Sequence, residues 1–371
     1  MSDRSDTSDW HALSPDLQER ILLLLPVSSA VRAAGVCKSW RAIMASPSFS
    51  TQLSVRPTGK RPWFFLWGIN ELIHTRSAAF GFDPMAGRWF RLRTLRPPDF
   101  NRASLAGTNG AFVAFSGSKV CFTQTPTNLR WKETAPAMYS RCSALLGTIG
   151  SPCSASFKFI AFGGIIDDDD RNLEIYDACS NTWELCDPIP EGTFLDGISS
   201  HWMSSAILGC RFFVANYDGY LTSFDTDTKS WSEVQKLSIT GLVSVFIVAG
   251  DLGLFALCVC RGQKRECLKM FEVDVVTMEC KEVSQMPHEL FSLFEDTDDD
   301  QKGASLKCVG SGGLVYVYSE QYYKGYPVCM CDLSEGSFVW KQLPSLPSPP
   351  RFDRVVCCST AIFPRDCFQV S

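Results

Sequence analysis

An internal repeat constrains this chain more than any other feature. Phe82-Asp83 precedes Trp89, Tyr176-Asp177 precedes Trp183, and Phe224-Asp225 precedes Trp231, each with a step of six residues from Asp to Trp. Val273-Asp274 keeps that step but sets Cys280 where Trp is expected. Cys331-Asp332 to Trp340, and Phe122-Thr123 to Trp131, stretch it to eight. The six anchors fall at positions 89, 131, 183, 231, 280 and 340, spaced by 42, 52, 48, 49 and 60 residues. A period of about 50 residues is one supersecondary unit repeated. Each unit reads as a strand ending in an aromatic-Asp pair, a polar turn, and a strand carrying Trp. Such a unit leaves both of its faces apolar, so the units must stack and the array must close on itself.

Apolar runs of strand length recur inside each unit: Ala111 to Phe115, Phe157 to Phe162, Phe212 to Ala215, Leu254 to Val259 and Leu314 to Tyr318. These read as the inner strands of the blades. A second repeat bears on closure. Pro97-x-x-Phe100-x-Arg102, Pro136-x-x-Tyr139-x-Arg141 and Pro349-x-x-Phe352-x-Arg354 share one pattern and each follows a Trp strand. After the third there is room for one strand, 354–362, while the first unit offers three: Trp63 to Trp67, Ser77 to Phe82 and Arg88 to Leu92. The C-terminal strand is therefore expected to complete the first blade.

The first fifty residues follow a different period. Ser14-Pro15-Asp16-Leu17 has the form of a helix start, with a capping side chain, proline in the first turn and an acid at the positive end of the dipole. Leu17, Ile21 and Leu24/Leu25 fall on one helical face, and Pro26 stops the run. A second short helix opens at Ser28 or Ser29, and a third carries Val36, Trp40 and Ile43/Met44 up to Pro47. Three helices this short bury little surface, so the unit is expected to need a partner or a neighbouring domain to complete its core.

Trp10-His11-Ala12-Leu13-Ser14-Pro15-Asp16-Leu17, Ile21, Leu25-Pro26, Val36-Cys37-Lys38-Ser39-Trp40-Arg41 and Phe49 together resemble an F-box. Ser14 separates Leu13 from Pro15, where family members usually have Leu-Pro adjacent. The later repeats, with a Gly163-Gly164 pair after one apolar run, resemble degenerate kelch blades, and the whole is similar to the F-box/kelch-repeat family of plants. That resemblance implies a small all-α F-box module followed by an all-β six-bladed kelch-type propeller closed by the C-terminal strand. The implied divisions are a disordered 1–9, an F-box module over 10–50, a linker over 51–60 and the propeller over 61–371. It further implies docking on a Skp-type adaptor and a cullin ubiquitin ligase, with Leu13, Pro15, Leu17, Ile21, Pro26, Val36, Cys37 and Trp40 as F-box core or adaptor contacts.

Composition narrows the functional classes. Apolar residues make up 45% of the chain, enough for a large core, and charged residues 20%. The longest aliphatic run, Ile21 to Leu25, is too short to span a bilayer, and no basic-then-apolar segment opens the chain. Seventeen cysteines spread through so large a chain suit a reducing compartment, cytoplasmic or nuclear. Residues 51–141 carry thirteen basic against four acidic groups, and residues 142–371 seventeen against thirty-one. The basic groups do not cluster beyond pairs, so neither nucleic acid nor membrane is an expected partner.

Catalytic and metal signatures are weak. The four histidines, at 11, 74, 201 and 288, lack ligand partners at fixed offsets, which argues against a propeller copper oxidase. Cys258-x-Cys260 and Cys329-x-Cys331 read as pairs on single strand faces and Cys357-Cys358 as a pair split between faces, all as small core residues. The acidic runs Asp167–Asp170 and Glu295–Asp300 lack the glycine and terminal Glu of a calcium loop. No catalytic residue, metal or cofactor is expected. The sharper candidates for gripping a protein are Phe100, Arg102, Tyr139, Arg141, Phe352 and Arg354 on one rim, with His201 and Trp202 as departures from the pattern. Against this stands the reading in which the arginines tie adjacent blades and the aromatics cover the rim. The resulting expectation is a substrate-recognition subunit of a Skp–cullin–F-box ligase; the alternative is a non-degradative binding scaffold.

Overall fold

The computed structural model describes residues 10, 13–46, 48–49, 52, 61–70, 77–92, 104–108, 111–123, 131–150, 157–165, 172–190, 203–262, 265–295, 305–333, 338–347 and 351–361. Three helices come first: α1 (Pro15–Leu23), α2 (Val27–Ala34) and α3 (Lys38–Met44). Ser14 caps α1 by accepting from the Leu17 amide at 3.4 Å, with Pro15 in the first turn. Helix α2 starts one residue earlier than its serines suggest, from Pro26. Cys37 caps α3, its sulfur accepting from the Trp40 amide at 3.4 Å. Leu22, Leu23, Ala30, Ala33, Ala34, Met44 and Phe49 form a core, against which Trp10, Leu25, Trp40 and Ile43 pack. Among the described residues, none of the β region belongs to that cluster.

Six antiparallel sheets follow, each built from the axis outward in chain order except the first. In the first blade the innermost strand is the last of the chain: Arg354–Thr360 pairs with Trp63–Ile69, which pairs with Ala78–Asp83 and then Arg88–Leu92. Closure by the C-terminal strand is as expected. The two ends are further joined by Tyr316 donating to the Pro62 carbonyl at 2.7 Å and by the Arg61–Asp332 ion pair at 2.9 Å.

The apolar runs take second place in their blades, not the innermost place. Ala111–Ser116, Lys158–Phe162, Arg211–Asn216, Gly253–Arg261 and Leu314–Tyr318 each lie between two other strands of their own sheet. They are buried on both faces by neighbouring blades, which is what makes them continuously apolar. Innermost strands instead crowd about the axis, and small residues answer to that. A Cβ at Gly107 would stand 2.9 Å from Cys358 Sγ, and one at Gly147 2.7 Å from Ile207 Cδ1, so neighbouring strands approach too closely there for any side chain.

The repeat has a direct structural meaning. The residue before each Asp faces the anchor across the outer ladder: Phe82 opposite Trp89, Tyr176 opposite Trp183, Phe224 opposite Trp231, Val273 opposite Cys280, and Cys331 opposite Trp340. The Asp then shapes the turn by accepting two backbone amides. Asp83 takes those of Met85 and Ala86, Asp177 those of Cys179 and Ser180, Asp225 those of Asp227 and Thr228, and Asp274 those of Val276 and Thr277. Four residues after the Asp the chain passes through the left-handed region, at Gly87 (φ 64°), Asn181 (53°), Lys229 (54°) and Met278 (58°). This sets the Trp strand in register, as an Asx turn followed by a left-handed residue does.

Four of the five anchor tryptophans then reach backward to the blade before them. Trp183 Nε1 donates to the Ala135 carbonyl (2.8 Å), Trp231 to that of Asp187 (2.9 Å), Trp340 to Ser284 Oγ (2.9 Å) and Trp89, across the closure, to the Pro344 carbonyl (2.7 Å). The rings pack edge-on against the preceding blade's second strand: Trp183 on Phe115 at 5.8 Å and Trp231 on Phe162 at 5.5 Å. Such a contact adds about 0.5–1.5 kcal/mol beyond its buried area. In the fifth blade Cys280 donates to Met278 in its own turn instead.

Two outcomes follow from this geometry. Truncation after Asp353 removes the innermost strand of the first blade and should abolish cooperative unfolding of the propeller by calorimetry; a truncated chain melting like the full one would contradict the closure. Backbone hydrogen bonds hold the Asp225 and Asp274 carboxyls below the usual carboxylate range. As pH falls, the unfolded chain takes up these protons first. The stabilisation is therefore complete above the ordinary carboxylate pKa and is lost on descending through it toward the lower folded value. Asp274→Asn should thus show a smaller drop in Tm between pH 7 and pH 3 than the parent chain.

Candidate functional site

In the helical module the apolar side chains outnumber the places in the core. Gln18 occupies a buried position on α1, its amide donating to the Trp10 and Leu13 carbonyls at 3.0 Å each, and Leu22 and Leu23 complete the inward side. The expected stripe therefore faces out. Leu17 is 47% exposed, Ile21 40% and Leu24 72%, and Val36, 67% exposed, precedes α3. Steps of four and three residues set Leu17, Ile21 and Leu24 on one side of the helix. Pro15 and Cys37 are also exposed, Leu13 and Pro26 half-buried. Trp40 is half-buried too, its ring 4.8 Å from that of Trp10. Its position within the packed module makes it a core residue first. Leu24 was legible only as part of a Leu run, since nothing in that run says which leucine turns outward.

The propeller has two unlike faces, set by strand direction. Residues 61–62 join the first blade on the face that holds the short Asp turns; this is the linker face. The opposite face collects the described parts of the long connections, 134–144, 187–190, 286–295, 305–306, 343–347 and 351–353; this is the loop face. Between them runs an axial channel of about 810 Å³ lined by the innermost strands. Its walls are largely small, with Ser104, Ser204, Ser244 and Thr148 among them. At its loop-face mouth stand Lys307, Glu320 and Arg354, Lys307 Nζ lying 3.1 Å from the Glu320 carboxylate.

The rim expectation divides residue by residue. Arg141 is fully buried: its Nε lies 2.8 Å from Glu174 Oε2, a carboxylate equally shut from solvent, and its Nη1 donates to the Gly163 and Asn172 carbonyls. Its own amide donates to Gly117 of the second blade. Arg141 therefore ties the second and third blades and is corrected from a rim contact to a structural clasp. A buried, paired guanidinium costs several kcal/mol if its carboxylate is removed, so exchange at either position tests the fold and not recognition. Phe352 is likewise corrected: it is 5% exposed and lies over Gly68, where a Cβ would come within 2.2 Å of its ring. Tyr139 is half-buried with the Arg141 guanidinium 5.8 Å from its ring, and Arg354 is half-buried at the channel mouth. Phe291 and Phe294 are buried in the core shared by the fifth and sixth blades. Phe100, Arg102, His201 and Trp202 lie outside the described residues, as do His11, His74 and the acidic stretches 167–170 and 296–300.

The cysteine pairs are core elements as read. Cys258 and Cys260 point into one cluster, Cys329 and Cys331 into another, while Cys357 and Cys358 divide between two. Burial pushes the Cys329 and Cys331 thiols up to about 12 and that of Cys260 to about 11. Such thiols are inert at neutral pH. Among the described residues, the one group of three possible ligands is Cys210, Asp225 and Asp227, and Asp225 is already committed to its turn. No described helix is long and apolar enough to cross a membrane. Alkylation of the native chain at pH 7.5 should modify Cys37 and Cys179, the exposed thiols, and spare Cys258, Cys329, Cys331, Cys357 and Cys358 until denaturant is added. Peptide mapping reads the difference.

Comparison with known proteins agrees with this division. The family model for the F-box domain matches residues 10–52. An F-box/kelch-repeat protein of Arabidopsis thaliana is 33% identical over 118 residues, 32% of this chain and 26% of that protein's own length. F-box only protein 6 of Arabidopsis thaliana is 22% identical over 388 aligned positions, covering 98% of this chain and 76% of the relative. Among solved structures, TolB from Acinetobacter baumannii aligns with a TM-score of 0.49 at 13% identity, over 87% of this chain and 73% of that one. At that score the six-bladed assignment rests on the strand pairings themselves. The helical module with its outward apolar stripe and the match over residues 10–52 show that this chain carries an F-box domain, and the proteins it is similar to are plant F-box proteins.

Proposed function

We propose that this chain is the substrate-recognition subunit of a Skp–cullin–F-box ubiquitin ligase, the helical module docking on the adaptor and the propeller holding a protein client. The observation that carries the reading is the stripe of Leu17, Ile21 and Leu24 with nearby Val36, left in solvent by a module whose own core is already filled. An exposed apolar patch of this kind is an interface waiting for its partner. On this reading the chain supplies no catalytic group. Holding the client beside a charged conjugating enzyme raises the effective concentration of its lysines, and the rate gain comes from proximity. The kelch character of the repeats and a place in cytoplasm or nucleus belong to the same proposal.

The test separates docking from folding. Leu17→Glu and Ile21→Glu change exposed positions on α1, so the melting curve should stay as it is while co-purification with a Skp-type adaptor is lost. Trp40→Ala is a poorer probe, because it removes a ring packed within the module. The Cys37 thiol offers an independent readout: bound adaptor should slow its alkylation relative to that of Cys179. Adaptor binding that survives both glutamate variants would overturn the docking assignment. A reconstituted ligase that leaves the client unmodified would favour a binding scaffold over a degradative subunit.

A further inference from the structure

The loop face of the sixth blade carries a group of side chains that the repeat does not explain. Between the strands Leu314–Tyr318 and Val328–Asp332 the chain makes a tight turn over Tyr322–Lys324. Tyr323 is 68% exposed and Tyr322 47%, two adjacent aromatic rings in solvent. Arg351, also exposed, places its guanidinium 5.5 Å from the Tyr322 ring centre, and Lys324 Nζ lies 5.7 Å from that of Tyr323. Each ring is thus flanked by a cation.

This turn is held, not loose. Gly325 sits at φ 72°, and its amide donates to the Tyr322 carbonyl at 2.8 Å. The next residue, Tyr326, also lies in the left-handed region, at φ 56°. For a bulky side chain that conformation costs about 1–3 kcal/mol and persists only where the surroundings enforce it. Here the Tyr326 ring is buried 5.7 Å from that of Phe352, and its hydroxyl accepts the Phe352 amide at 3.0 Å. Lys324 is anchored by donating to the Phe294 carbonyl at 2.7 Å. The third Pro-x-x-aromatic-x-Arg segment therefore does contribute to a surface, by an indirect route. Its Phe352 turns inward to brace Tyr326, and Arg351, a position the pattern leaves open, turns outward.

Rigid aromatics beside arginine are the residue types that dominate binding interfaces, because little conformational entropy is lost on contact. The charge of the patch selects the partner. Among the described residues of this corner, Lys307, Lys324, Arg351 and Arg354 stand against Glu295, Glu320 and Asp353, so it is locally cationic within the acid-rich part of the chain. We propose that Tyr322, Tyr323 and Arg351 form the client-contact patch of the propeller, and that they bind an acidic linear segment carrying an apolar side chain. The acidic groups meet Arg351 and Lys324, and the apolar side chain lies on the two tyrosine rings. This inference deepens the ligase reading and rests on it for the meaning of the word client.

The experiment uses the full chain with its adaptor bound and fluorescein-labelled short peptides. One pool has alternating Asp/Glu and Ile/Leu/Tyr; its counterpart has Lys in place of the acids. The acidic pool should bind at least about tenfold more tightly at low salt, and the advantage should shrink in high salt as screening predicts. Arg351→Glu should abolish the preference, and Tyr323→Ala should weaken acidic binding about tenfold or more. Both positions are exposed, and unchanged melting curves would confirm that the fold is kept. Equal binding of the two pools, no binding by either, or acidic binding indifferent to Arg351→Glu would overturn the proposal. Leu17→Glu distinguishes the two readings: it should remove the adaptor and leave peptide binding on the chain intact. Loss of the ligase reading alone would appear as an adaptor that never binds, with the charge preference preserved.

Discussion

The structure depends on a sheet that cannot finish itself. Each blade of this propeller is apolar on both faces, and a strand such as Lys158–Phe162 has no side toward water. Stacking six blades buries five interfaces, and the sixth forms only when Arg354–Thr360 pairs beside Trp63–Ile69. Stability of the whole is thus tied to contacts between residues nearly three hundred positions apart. The Tyr316–Pro62 hydrogen bond, the Arg61–Asp332 ion pair and the Trp89–Pro344 hydrogen bond all lie at this one seam. A ring closed in this way leaves at its axis only the short edges of the innermost strands, which line the channel.

Once closed, the ring separates its tasks by direction. Short turns held by aspartates occupy the face that the chain enters from the helical module, and the long connections gather on the other. A Trp ring nitrogen donating to the preceding blade repeats at four of the six junctions, three times to a backbone carbonyl and once to Ser284 Oγ. The three carbonyls, of Ala135, Asp187 and Pro344, belong to the connections that lead out of the Trp strands, so those connections are tied to the ring where they begin. On the loop face the exposed turn at Tyr322–Lys324 is braced from beneath by Tyr326 and Phe352. In the helical module the opposite economy holds: so few residues make a core that α1 keeps Leu17, Ile21 and Leu24 outside it. The two parts expose apolar or aromatic side chains for the same reason, that their interiors are already satisfied.

Legibility differed between the levels. The anchors were readable because an Asx turn followed by Trp is local chemistry, and a local motif survives divergence even where Cys280 replaces the ring. The innermost strands were not. Crowding at the axis demands small residues, as at Gly107 and Gly147, so these strands lack the apolar run that marks a strand in a sequence. The apolar runs, read as inner strands, take the second place in their blades. The rim arginines misled for a related reason. Arg141 and Arg354 share a motif, yet one meets a buried Glu174 and the other stands at the channel mouth. Glu174 lies thirty-three residues from its partner, and no spacing rule connects them.

What the chain's order of residues determined alone was the helical character of its start, the count of blades, the turn chemistry and the identity of the closing strand. Those follow from periodicity and from hydrogen bonds spanning a few residues. Tertiary structure decided which apolar side chains remain outside and which charged ones are taken in. Leu17 or Leu22, Phe352 or Arg351: each choice turns on how neighbouring elements pack against it. Burial is a property of the assembled surface, and local sequence carries only the offer of a side chain, not the side from which it will be covered.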